Sequence, residues 1–161
     1  MTDMKRLLFL LIAIAGICFS AFSQVGLNID RLLNSKYTSD PNVTETYISG
    51  DRNKFLRKHN LTAFLTFKGP ADKYGKMAEG LIIADAAKAI GKDVRYKGGR
   101  LYCGLYTLKP ATVKGRKVNR YLYYINTGAV KGKHLMIVYL EGTLSEAEAH
   151  KLIRSMVRKV K

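Results

Sequence analysis

Cys103 and the histidines His59, His134 and His150 are the residues with which this chain could most simply build a nucleophile and its base, a thiolate attacking an acyl carbon. The pattern around the cysteine argues against it. Leu101, Cys103 and Leu105 alternate with Tyr102 and Tyr106 in a strand-like run, which marks Cys103 as a small buried hydrophobe. The histidines are scattered, with neither HxH nor HExxH spacing, so no metal and no cofactor is expected. Asp85 is the other candidate acid. On a helix it shares a face with Tyr74, Ala78, Leu81 and Ile82, where a carboxylate needs a partner. Lys88, three residues on, is the expected one, and a structural pair is favoured over a functional acid. Gly98, Gly99, Gly104 and Gly115 match neither phosphate-cradling spacing and read as turns.

Charge is the stronger signal. The formal net charge is +16, and residues 94–140 hold Arg95, Lys97, Arg100, Lys109, Lys114, Arg116, Lys117, Arg120, Lys131 and Lys133 without one Asp or Glu. Tyr96, Tyr102, Tyr106, Tyr121, Tyr123, Tyr124 and Tyr139 lie among them. Cations beside flat aromatic surface suit an anionic polysaccharide, lipopolysaccharide or an acidic protein. Nucleic acid is the weaker option, because Lys97-Gly98-Gly99-Arg100-Leu101-Tyr102 lacks the aromatic spacing of the RNA-recognition sheet motif. The competing reading is a solvated basic face with half-buried tyrosines.

These side chains must be positioned by elements the pattern makes legible. A short helical turn around Ile29, Leu32 and Leu33 precedes a polar tether or lid reaching Pro41. Strands are expected over 43–48 and 61–67, with a helical turn between them. Pro70 opens a central helix that Gly91 closes, and a hairpin over 94–108 turns at Gly98-Gly99. A basic loop over 109–119 leads to two more strands, 121–125 and 134–140, which pair as a hairpin. Thr143-Leu144-Ser145-Glu146 reads as a capping box opening a last helix, whose stripe is Leu152, Ile153, Met156, Val157 and Val160. The expected fold is α+β, an antiparallel sheet of about five strands with the central and C-terminal helices packed on one face.

Lys5 and Arg6, an apolar run over 7–18, and small residues at Ala21 and Ser23 form an export signal cut after Ser23. Ile17 before Cys18 and the apolar Phe19 to Phe22 after it oppose a lipid anchor there. Residues 24–161 are then a single domain with one cysteine, so no intramolecular disulfide and no transmembrane helix is expected, and the destination is the periplasm or the exterior of a bacterial envelope. The signal ending at Gln24, a strand closing at Ile48-Ser49-Gly50, a central helix, hairpins and a last helix after Gly142-Thr143-Leu144-Ser145 together resemble small exported proteins of unknown function from Bacteroidetes. That resemblance spans the chain and implies compartment and fold but no chemistry. The expected function is a non-enzymatic binding module for anionic envelope material, with Arg95, Lys97, Arg100, Lys114, Arg116, Lys117, Arg120, Lys131 and Lys133 as its contact residues. The alternatives are a small envelope hydrolase using Asp85 or Cys103, and a weak nucleic-acid binder.

Overall fold

The computed structural model describes residues 26–33, 36–130 and 133–158; the expected export signal, Cys18, Lys131 and Val160 lie outside them. Six strands are formed by the described residues: β1 (Thr44–Ser49), β2 (Leu61–Pro70), β3 (Gly91–Lys97), β4 (Arg100–Val113), β5 (Arg116–Asn126) and β6 (His134–Gly142). They make one sheet of order β1-β2-β6-β5-β4-β3 in which all neighbours run antiparallel. Helices α1 (Lys54–Lys58), α2 (Ala71–Ala86) and α3 (Glu146–Arg158) accompany them, with 3-10 turns at Asn28–Arg31 and Thr127–Val130.

The α+β class and the antiparallel sheet agree with the sequence pattern, and two particulars differ. The strand count is six because both arms of the hairpin expected over 94–108 are full strands, β3 and β4; β3 is also longer than expected, since α2 stops at Ala86 and Gly91, expected to cap it, instead begins β3 opposite Thr107. The two long helices pack on opposite faces, not on one. The reason is visible in β6, where Leu135, Ile137 and Tyr139 are buried on one side and Val138 and Leu140 on the other. A strand apolar on both faces needs cover on both. Tyr74, Ala78 and Ile82 of α2 pack against the first set, and Ala149, Leu152 and Ile153 of α3 against the second.

The helical turn before the expected tether or lid is part of the core. Ile29, Leu32 and Leu33 are fully buried against the α2 side of the sheet. The expected basic loop is a hairpin, since β4 runs on to Val113 and β5 starts at Arg116. Lys114 and Gly115 make its two-residue turn with φ of +49° and +74°, as Gly98 and Gly99 do between β3 and β4 with +57° and +73°. Such turns match the twist of the strands they join.

The capping box at the start of α3 lies two residues beyond the expected one. Ser145 is the capping residue: its amide and hydroxyl both donate to Glu148 Oε2, at 2.7 and 2.9 Å, and the Glu148 amide donates back to Ser145 Oγ at 3.3 Å. These bonds draw the Glu148 carboxyl below its usual range. Glu146, freed from capping, accepts a hydrogen bond from Thr107 Oγ1 at 3.0 Å.

Candidate functional site

A single helix is too narrow to cover its side of the sheet. Six strands at a spacing of ~4.8 Å span about 24 Å, against a helix diameter of about 10 Å. Through Ala149, Leu152 and Ile153, α3 sits against Phe64, Tyr121, Val138 and Leu140, and Leu56 of α1 joins the same cluster. Its N-terminal end is clamped there: the Tyr121 hydroxyl and Asn119 Nδ2 both donate to the Leu144 carbonyl, at 3.1 and 3.0 Å. The outer strands β3 and β4 project past the helix and leave a groove of about 250 Å³. Asp93 and Arg95 line it from β3, Cys103, Gly104 and Leu105 from β4, and Tyr123 from β5. From α3 come His150, Ile153, Arg154, Val157 and Arg158.

Its chemistry is cationic over an apolar wall. Arg95, Arg154 and Arg158 are exposed, and none makes an ion pair among the described residues. Asp93 is the one carboxylate in the lining. His150 Nε2 lies 3.9 Å from Glu146 Oε1, one helical turn back. Burial pushes the Tyr123 phenol up to about 12 and raises the Cys103 thiol, against the opposing pull of Arg95. Both groups are therefore neutral near pH 7 and add no negative charge to oppose the guanidiniums on the rim.

Cys103 and His150 both line this groove, the two residues that the simplest catalytic pairing would use. The direction of the thiol shift is wrong for a nucleophile, which requires a stabilised thiolate. Cys103 is half-buried on the groove wall, not enclosed among core hydrophobes as expected, and its face also differs. The β3–β4 register slips so that Arg95 faces Cys103 and Tyr96 faces Leu101. This bulge at Tyr102 reverses the alternation, sending Leu101 into the α2-side core while Leu105 joins the α3 side with Cys103. His59 closes α1 with its ring 4.8 Å from that of Phe55, and His134 begins β6; neither lines the groove.

Asp85 is 3% exposed, and its partner is not Lys88, which points to solvent. The carboxylate accepts from the Asn28 amide at 2.6 Å, Asn28 Nδ2 at 2.9 Å and the Ile29 amide at 2.8 Å. It pins the N-terminal segment to α2, and its lone pairs are spent on that work. Two further carboxylates escaped the sequence reading. Glu141, 2% exposed, accepts from Thr62 Oγ1 at 2.7 Å and from the Tyr139 hydroxyl at 3.0 Å. Asp40 accepts from Lys73 Nζ and the Tyr74 hydroxyl, both at 2.7 Å, and these two bonds hold it well below the usual carboxylate range. No group of three or more His, Cys, Asp or Glu gathers as a metal site among the described residues.

The cations contiguous in sequence divide in space. Lys97 and Arg100 flank the Gly98-Gly99 turn, while Lys114 in the other turn and Arg116 and Lys117 just after it lie a full β4 length away, or about 40 Å at ~3.3 Å per residue. Of the expected contact residues that the structure describes, Arg95 alone lines the groove. Arg100 meets Glu79 at 3.4 Å and Lys114 meets Asp51 at 3.4 Å, Arg120 Nε donates to the Lys109 carbonyl at 2.8 Å, and Lys133 is exposed before β6. The tyrosines divide too. Tyr106, Tyr121, Tyr124 and Tyr139 are core, leaving Tyr96 exposed, Tyr123 in the groove and Tyr102 beneath Lys97 Nζ at 4.3 Å. The cations that sequence reading missed are Arg154 and Arg158. Their signal was the i, i+4, i+8 spacing of His150, Arg154 and Arg158, a polar stripe beside the apolar one on α3.

No helix among the described residues is long and apolar enough to cross a membrane. No curated protein and no solved structure matches the chain. A family model does, over residues 16–153, and the chain belongs to that group, a family of unknown function (DUF6108).

Proposed function

We propose that this chain is an exported, non-enzymatic binding module whose ligand is anionic and is held in the groove between α3 and strands β3 to β5. The observation that carries the reading is the set of three guanidiniums, Arg95, Arg154 and Arg158, lining one concavity, none of which pairs with a carboxylate among the described residues. Arginine's planar fork suits carboxylate, phosphate and sulfate groups. Export rests on the Lys5-Arg6 and apolar pattern before Gln24 and directs the search to envelope material such as lipopolysaccharide or an acidic polysaccharide. The hydrolase alternative loses support from its own residues, because Asp85 is buried in structural hydrogen bonds and burial disfavours the Cys103 thiolate.

Two charge reversals, compared on heparin and on lipopolysaccharide across a salt series, test this. In one variant Arg95, Arg154 and Arg158 become Glu; in the other, Lys114, Arg116 and Lys117 do. All six side chains are exposed, so both variants should fold. The groove variant is expected to lose binding and salt dependence while the hairpin variant keeps most of both. The reverse ordering would move the site to the hairpin tip, and a parent protein that binds neither these polymers nor any small carboxylate or phosphate would refute anion binding as the function.

A further inference from the structure

The groove is more than a basic patch, and its second property narrows the ligand. Leu105, Ile153 and Val157 put aliphatic carbon directly beside Arg95, Arg154 and Arg158. A purely ionic surface has no use for that wall, and a sugar acid would leave its hydroxyls facing carbon. Resting on the anion-binding reading above, we infer that the groove takes a single-chain amphiphile: a carboxylate or phosphate head on the arginines, and the first methylenes of an alkyl chain along Leu105, Ile153 and Val157.

Size sets how much of the chain is held. A space of about 250 Å³ admits roughly eight groups of water size at ~30 Å³ each. A carboxylate or phosphate head takes about three of them, which leaves room for about five methylenes. Longer chains must emerge past the end of α3, where added carbon meets water and contributes little.

Isothermal titration calorimetry of the processed protein with a homologous series tests both halves. The series is butanoate, hexanoate, octanoate and decanoate, accompanied by octyl phosphate, octanol, inorganic phosphate and glucuronate. Expected is one site whose affinity rises about threefold per methylene up to hexanoate or octanoate and then levels, with octyl phosphate binding comparably. Octanol, inorganic phosphate and glucuronate should each bind at least tenfold more weakly. Arg154→Ala with Arg158→Ala should weaken octanoate at least tenfold without altering the unfolding midpoint, both side chains being exposed. Affinity independent of chain length, or glucuronate binding as well as octanoate, would overturn the amphiphile while leaving the anion site standing. If heparin, lipopolysaccharide and the whole series fail to bind, the functional reading beneath it falls as well.

Discussion

Replacing Asp85 with alanine should destabilise the fold without freeing the N-terminal segment, and the magnitudes show why. The carboxylate accepts from two backbone amides and one side-chain amide, at 2.6 to 2.9 Å. Alanine leaves the buried Ile29 amide and the partly buried Asn28 amide without acceptors. Each of the two orphaned donors costs about 1–3 kcal/mol, so the expected loss is about 2–6 kcal/mol. Undocking the segment would instead expose Ile29, Leu32 and Leu33, now fully buried. At ~1.5–3 kcal/mol apiece that is about 4–9 kcal/mol, more than the lost bonds return. The segment therefore stays docked and the whole domain weakens, by a large share of the ~5–15 kcal/mol typical of a small protein. Urea unfolding of parent and Asp85→Ala should show a lower midpoint with unchanged slope. Hydrogen exchange at residues 28–33 should rise with the global rate and no faster. A variant within about 1 kcal/mol of the parent would refute the pinning role and reopen Asp85 as a functional acid.

Two glycines should respond to alanine with opposite signs. At Gly142 an added Cβ meets the Asn60 carbonyl oxygen and comes within 2.6 Å of Leu61 Cα, both backbone, so Gly142→Ala should cost at least ~3 kcal/mol or abolish soluble expression. At Gly80, in the exposed middle of α2 with nothing within 4 Å, Gly80→Ala should stabilise by up to ~1 kcal/mol in thermal unfolding. Alkylation of Cys103 by iodoacetamide should be slower in native than in unfolded protein and its pH profile shifted alkaline, because burial raises the thiol; equal rates at pH 8 would count against that environment. Asp40 is held below its ordinary value by Lys73 and Tyr74, so its contribution is complete above the unfolded pKa of ~3.9 and fades as acid approaches the depressed folded value. The melting-point gap between parent and Asp40→Asn should accordingly stay constant from about pH 8 to 5 and shrink only below about pH 4; a gap already closing near pH 6 would contradict the assignment.

What was legible in the sequence is what period and punctuation encode. The alternation of Leu61, Ala63, Leu65 and Phe67 located β2, Gly98-Gly99 located a hairpin turn, and the helical spacing after Pro70 located α2. What escaped depends on partners far along the chain. The phase of β4 was misread because a bulge at Tyr102 is set by its pairing with β3, and no residue type announces it. Asp85 was assigned a neighbour three residues away, whereas its partners lie more than fifty residues back. The expectation of both helices on one face follows from the general α+β pattern and not from this strand, for His134 to Leu140 is nearly continuous carbon apart from its first residue. That pattern signals burial on both sides.

The candidate site was half legible for the same reason. A run of cations without acids is a property of sequence, but a binding surface is a property of space, and a long antiparallel hairpin pulls the two apart. The turns at Gly98-Gly99 and Lys114-Gly115 lie about 40 Å from one another, several times the Debye length of ~10 Å in 0.1 M salt. Their charges cannot reinforce each other on a small ligand. Arg95 finds its company instead on α3, about sixty residues later in the chain, where Arg154 and Arg158 face it across the groove. Ligand size thus separates the two surfaces: a small anion senses the groove alone, whereas only an extended polymer can touch groove and hairpin tip together. Cooperation between the two on a long polyanion, absent on a short one, is what this arrangement permits.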